Sequence, residues 1–146
     1  MNANPLYQVF LNQASISKEQ VYQFIADTAV PFLGIEEKKQ IVHSLVEREK
    51  VGNTQIAEQV VLPHLESSLL GKSEVYLIRL KEEITEWTKD IRNIKLIIAI
   101  LLKKDETIEE KKKISEFTKK LADEQFLEKL LIMETETDFY KEIQEF

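Results

Sequence analysis

Apolar residues recur along this chain at two different periods, and the change of period separates helices from strands. Val21, Phe24, Ile25 and Thr28 lie at helical spacing behind Ser17 and Gln20, which read as a capping box. Pro31 marks the end of that helix, and Gly34 suits a left-handed position just past it. A second helix is expected over residues 36–50, with Ile41, Val42, Leu45 and Val46 as its apolar stripe and Gly52 as its stop. Val60, Val61 and Leu62 then form a short β-branched run closed by Pro63, which predicts a strand. Residues 65–70 read as one or two helical turns ended by Gly71. Residues 75–80 are predicted as a second strand, and 84–87 as an edge strand. The near-continuous apolar run over 95–102 has the pattern of a central strand covered on both faces.

Beyond Asp105 the pattern becomes that of charged amphipathic helices. Thr107 and Glu110 read as another capping box, with Ile114, Phe117 and Leu121 on one stripe. A short helix is expected over 125–133, and a last one over 137–146 carrying Phe139, Ile143 and Phe146. The order α-α-β-β-β-β-α-α-α predicts an α/β fold, a mixed sheet of about four or five strands flanked by helices. Several strand connections are too short for parallel crossovers, so some pairing must be antiparallel. No repeat or linker interrupts the series, and residues 1–146 are expected to form a single domain.

Composition narrows the chemistry. Hydrophobic residues make up 43% and charged residues 32% of the 146, the balance of a globular protein. There is no cysteine, which removes disulfides, thiol nucleophiles and cysteine-ligated zinc, and fits a cytoplasmic setting. Two histidines far apart in sequence make a histidine-rich metal site an unpromising reading. The first 17 residues lack a basic lead and a long apolar run, so no signal peptide is expected. The longest apolar stretch is far too short for a membrane span. A net charge of −6 argues against nucleic-acid binding. The lysines at 111–113 and 119–120 read as a solvated helix face.

One segment stands apart: Arg48 and Glu49 at a helix end, a turn containing Gly52 and Thr54, an apolar strand, and His64 directly after Pro63. Proline fixes its own backbone and biases Leu62 towards extended geometry, which holds the imidazole at a strand tip. A histidine that accepts a phosphoryl group must be neutral on the attacking nitrogen, with donors or cations near the incoming charge. Arg48 and Thr54 are the candidates to supply them. His43, beside the stripe of the second helix, reads as a packing or surface residue. Trp87 reads as a core or edge aromatic.

This segment, with Trp87 and the apolar strand that follows it, resembles the enzyme IIA domain of the fructose–mannitol branch of the bacterial sugar phosphotransferase system. The resemblance extends over essentially the whole chain in element order. It implies a mixed sheet flanked by helices and makes His64 the phosphorylated residue, with Arg48 and Thr54 lining its pocket. It also implies two partners, phospho-HPr as donor and an enzyme IIB as acceptor, and no metal or organic cofactor. The chain departs from that family's pattern where glycines usually precede the histidine, since Gln55, Ala57 and Gln59 stand there. Side chains at those places are expected to narrow the pocket. Glu110, followed by Lys111, stands where a second histidine usually opens the helix after the central strand, and a carboxylate there would repel a phosphohistidine. Three roles are compatible with these residues: a phosphotransferase component in sugar uptake, a regulatory interaction domain that senses phosphotransferase state, or a scaffold without chemistry.

Overall fold

The computed structural model describes residues 6–145, so the readings that rest on residues 1–5 and on Phe146 lie outside the described residues. The elements run β1 (Tyr7–Gln13), α1 (Lys18–Ala29), α2 (Ile35–Val51), β2 (Gln55–Ala57), β3 (Val60–Val61), β4 (His64–Ser67), β5 (Glu74–Glu86), β6 (Arg92–Lys103), α3 (Ile108–Lys120), α4 (Glu124–Ile132) and α5 (Glu136–Glu145). The sheet order is β1-β5-β6-β3-β2, with β4 also paired to β6 beyond β3. β5 and β6 form an antiparallel pair, whereas β1 runs parallel to β5 and both β3 and β4 run parallel to β6. The fold is thus the expected α/β arrangement, a mixed sheet flanked by helices, but among the described residues the sheet has six strands rather than four or five.

β6 explains the long apolar run. Ile97, Ala99 and Leu101 face a core shared with α1 and α2, where Tyr22, Ile25, Ile41 and Leu45 are buried. Leu96, Ile98 and Ile100 face the opposite core, built with Phe117, Phe126, Leu130 and Phe139 of α3, α4 and α5. Strand residues alternate between faces, so a strand buried on both sides must be apolar at every position.

Four local expectations require correction. The segment 65–70, expected to be helical, begins instead as strand β4, with Leu65 opposite Leu101 and Ser67 opposite Lys103. Leu65 is buried and Glu66 exposed, a two-residue alternation that suits pairing along the edge of β6. Residues 84–87 do not make a separate edge strand: Ile84 and Glu86 continue β5 after a register shift and pair with Ile94 and Arg92 of β6. Gly34 is not a left-handed stop for α1 but the extended N-cap of α2, its N–H donated to Glu37 Oε1 at 3.0 Å. Finally, β1 and β2 have no counterpart among the expected strands. β1 owes its strand state to parallel pairing along β5 and to Tyr140 of α5, whose hydroxyl accepts the Val9 N–H at 3.1 Å.

The helix starts are close to expectation. The Ser17 hydroxyl accepts from the Gln20 N–H at 3.2 Å, while the Gln20 side chain reaches back to Ile16 N at 2.9 Å. Thr107 caps α3 through the Glu110 N–H at 3.2 Å, but the Glu110 carboxylate turns to Lys113 at 3.1 Å rather than back to the cap.

Phe117 is 1% exposed, with its ring 5.2 Å from Tyr7 and 6.5 Å from Phe126, whereas Phe32 is 91% exposed. Phe117→Ala should therefore cost about 3–5 kcal/mol in urea unfolding. Phe32→Ala should change stability by no more than about 0.5 kcal/mol.

Candidate functional site

The last turn of α2 brings Arg48 and Glu49 to the sheet edge where the chain turns into β2. From there the chain runs through a hairpin and returns along β6 to Pro63 and His64. Two backbone bonds set the register of this return. Leu62 N–H is donated to Thr54 O at 2.8 Å, and Ile100 N–H to Pro63 O at 2.9 Å. His64 consequently sits opposite Ile100, at the first position of β4, with its side chain exposed while Pro63 and Leu65 on either side are buried.

Arg48 Nε lies 3.2 Å from His64 Nε2 and donates to it. A guanidinium has no acceptor, so Nε2 must carry the lone pair, and the proton of the neutral ring resides on Nδ1. Partial burial, and secondarily the Arg48 charge, hold the imidazole pKa below its ordinary 6.5. Both effects act in the same direction and keep the ring neutral. The contact thus leaves Nε2 unprotonated, on an exposed side chain with a cation beside it.

Thr54 is buried, and its hydroxyl donates to Glu49 Oε2 at 2.5 Å rather than to the imidazole. Glu49, read from the sequence only as part of the helix end and given no role there, is the acceptor on which three side-chain donors converge. Its Oε1 also accepts from Tyr22 Oη at 2.7 Å and from Trp87 Nε1 at 3.2 Å. The rings of Tyr22 and Trp87 meet edge to face, their centroids 5.7 Å apart. Burial and the neighbouring Glu49 carboxylate both push the Tyr22 phenol pKa upward, so it stays a donor. Two buried aromatics with polar tips needed an acceptor, and that requirement was the available signal for Glu49. Trp87 is indeed a core aromatic, 3% exposed.

The three positions without glycine occupy the hairpin. Gln59 keeps a left-handed backbone, φ 69°, at the turn between β2 and β3, the conformation that favours glycine. Its carbonyl accepts from Lys95 N and Leu96 N, and its side chain is donated to Glu83 at 3.0 Å. Val60 is level with Leu96 and His64 with Ile100, so this turn lies about 13 Å along the strand from the imidazole. Gln55 caps its own turn, taking its N–H to Asn53 Oδ1 at 2.8 Å and giving its side chain to Ala57 O at 3.2 Å. The bonds of Gln55 and Gln59 therefore brace the hairpin and do not go to the imidazole. Glu110 is paired with Lys113, and its charge is felt at Tyr7, where burial first and then Glu110 push the phenol up to about 12. His43 is an exposed residue of α2, with Nε2 4.0 Å from Glu47. Among the described residues no group of three or more His, Asp or Glu is arranged to hold a metal ion. No described helix is long and apolar enough to cross a membrane.

Comparison with known proteins now bears on this geometry. The family described as "Phosphoenolpyruvate-dependent sugar phosphotransferase system, EIIA 2" matches residues 5–146. Multiphosphoryl transfer proteins of Escherichia coli and Shigella flexneri are 25% and 24% identical over 125 residues, which are 86% of this chain but 15% of theirs. A nitrogen regulatory protein of Klebsiella oxytoca is 29% identical over 132 residues, 88% of this chain and 80% of that protein. Among solved structures, the nitrogen regulatory protein IIA-Ntr of Neisseria meningitidis superimposes with a TM-score of 0.74 at 18% identity, covering 94% of this chain and 96% of the other. The IIAMTL fold, solved in complex with phosphorylated enzyme IIBMTL from Escherichia coli, gives 0.64 at 18% identity, covering 97% of this chain and all of that one.

His64 should titrate with a midpoint below 6.5 when followed by NMR, and Arg48→Ala should move that midpoint up. A midpoint at or above 6.5 in the native protein would contradict the geometry. Because the folded pKa lies below the unfolded one, His64 contributes stability above pH 6.5 that is lost as pH falls through its lowered pKa.

Proposed function

The chain belongs to the EIIA 2 family of the phosphoenolpyruvate-dependent sugar phosphotransferase system, and from that premise we propose that it is a phosphocarrier whose acceptor atom is Nε2 of His64. The observation that carries this reading is the 3.2 Å contact between Arg48 and Nε2. It supports Nε2 as the nucleophile, because that nitrogen holds the lone pair, and it sets the Arg48 cation beside the arriving negative charge.

In the proposed step, Nε2 attacks phosphorus on the phosphohistidine of phospho-HPr. The Nε2–P bond forms as the donor's N–P bond breaks, and the electron pair returns to the donor nitrogen. The Nδ1 proton stays in place, so no acid or base is needed. Nε2 has a single lone pair, so the Arg48 hydrogen bond is given up as the nitrogen approaches phosphorus, and the freed guanidinium donors meet the phosphoryl oxygens. The work of the site is positioning and charge stabilisation. That requires neither a metal nor an organic cofactor. An exposed imidazole also suits a donor borne by another protein.

Onward transfer to an enzyme IIB is the natural second step, supported by the similarity to IIAMTL in its complex with phosphorylated IIBMTL. The same acceptor serves a regulatory role in the second reading, which the Klebsiella oxytoca nitrogen regulatory protein favours. There the phosphorylated state would be read by a binding partner instead of being passed on. Either role places the protein in the cytoplasm with its donor.

Incubation with phosphoenolpyruvate, enzyme I and HPr should place acid-labile phosphate on His64. His64→Ala should remove it, and Arg48→Ala should slow it by roughly 10²–10³-fold. Absence of label, with a known enzyme IIA labelled in parallel, would end this reading. Loss of label on adding enzyme IIB supports the transport role, and persistence of label supports the regulatory one.

A further inference from the structure

We infer that Glu49 is the positioning residue of this site, the group that ties the last turn of α2, which carries Arg48, to the loop that leads into the His64 strand. Glu49 is the only residue between Arg48 and Lys50 in the last turn of α2, and its carboxylate joins chain segments that are otherwise separate. Tyr22 comes from α1, Trp87 from the end of β5, and Thr54 from the loop before β2; their donors lie 2.7, 3.2 and 2.5 Å from the two carboxylate oxygens.

Two physical consequences follow. Consecutive helix residues are rotated by about 100°, so holding Glu49 inward against Tyr22 and Trp87 also fixes the direction in which Arg48 leaves the helix. Gly52 ends α2 in an extended conformation, φ −174°, and no cap N–H bond closes this helix as one closes α1, α3 and α4. On the other side, the hydroxyl of Thr54 is held by Glu49 while its carbonyl accepts from Leu62. The bond from Leu62 fixes the strand one residue before Pro63. Both partners of the contact between Arg48 and His64 are therefore referred to the same carboxylate, and a displacement of about 1 Å would take them out of hydrogen-bond range.

A purely structural Glu49 would satisfy Tyr22 and Trp87 and nothing more. The two roles differ in sign at His64. Removing a nearby carboxylate, by charge alone, moves an imidazole pKa down, whereas releasing Arg48 from the ring moves it up.

The test compares Glu49→Ala, Arg48→Ala and the double variant by NMR titration of His64 and by the rate of labelling from phospho-HPr. The positioning role predicts an upward shift of the His64 midpoint in Glu49→Ala, towards that of Arg48→Ala. It predicts a labelling rate lower by roughly ten- to a hundredfold, and a double variant no slower than Arg48→Ala. An unchanged or lowered midpoint with an unchanged rate, alongside a lower Tm, would overturn it, as would fully additive losses. Should Glu49→Ala not fold, Glu49→Gln, Tyr22→Phe and Trp87→Phe carry the same measurements, each removing part of the network. The rate readout rests on the phosphocarrier reading, but the titration does not. A native protein that fails to label defeats that reading, while the midpoint still decides the role of Glu49.

Discussion

Burial of β6 on both faces is the constraint from which the rest of this structure follows. Leu96, Ile97, Ile98, Ala99 and Leu101 are each at most 1% exposed, and a fully buried Leu or Ile side chain is worth roughly 1.5–3 kcal/mol. A slip of one residue would exchange the two faces of the strand and misplace all of them. The register of β6 is accordingly rigid. β5 pairs with it on one side, β3 and β4 on the other. The level of His64 is thereby set by its pairing opposite Ile100, even though its own side chain is in water.

The polar site depends on that frame in a particular way. A neutral imidazole beside a cation is an unusual arrangement for a surface histidine, because a free arginine would orient into solvent. Here Arg48 is half-buried at the end of a helix whose inner face is closed by Ile41 and Leu45. The carboxylate of Glu49 lies one residue further along, against Tyr22 and Trp87. Core packing and the hydrogen-bond network thus act together: the apolar stripe fixes the helix, and the carboxylate fixes its last turn. The site is built from an edge strand, a helix end and a loop, where the backbone is least constrained by regular pairing. The hairpin that leads into it retains one left-handed residue, Gln59, held by two backbone donors from β6.

Elements whose own side chains carry a complete signal were legible. The stripes of α2 and α3 and the apolar run of β6 belong to this class, because each records in its own residues which face is buried. Elements that depend on a partner were not. β1 is partly polar and β4 is only four residues long, and each became a strand because a buried neighbour offered unpaired backbone groups. The continuation of β5 through Ile84 was misread because a register shift interrupts its alternation.

The same division applies to the site. Its sequence by itself determined that His64 would stand behind a proline at a strand tip, that Arg48 would end a helix, and that Trp87 would be an aromatic of the core or its edge. Each of these follows from local stereochemistry or hydrophobicity. Only the tertiary structure decided that Arg48 donates to Nε2, that Thr54 serves Glu49 instead of the imidazole, and that Glu110 is occupied by Lys113. Hydrogen bonds between side chains depend on distances of a few tenths of an ångström between segments far apart in the chain. Those distances are set by how the sheet and helices pack, and no local pattern encodes them.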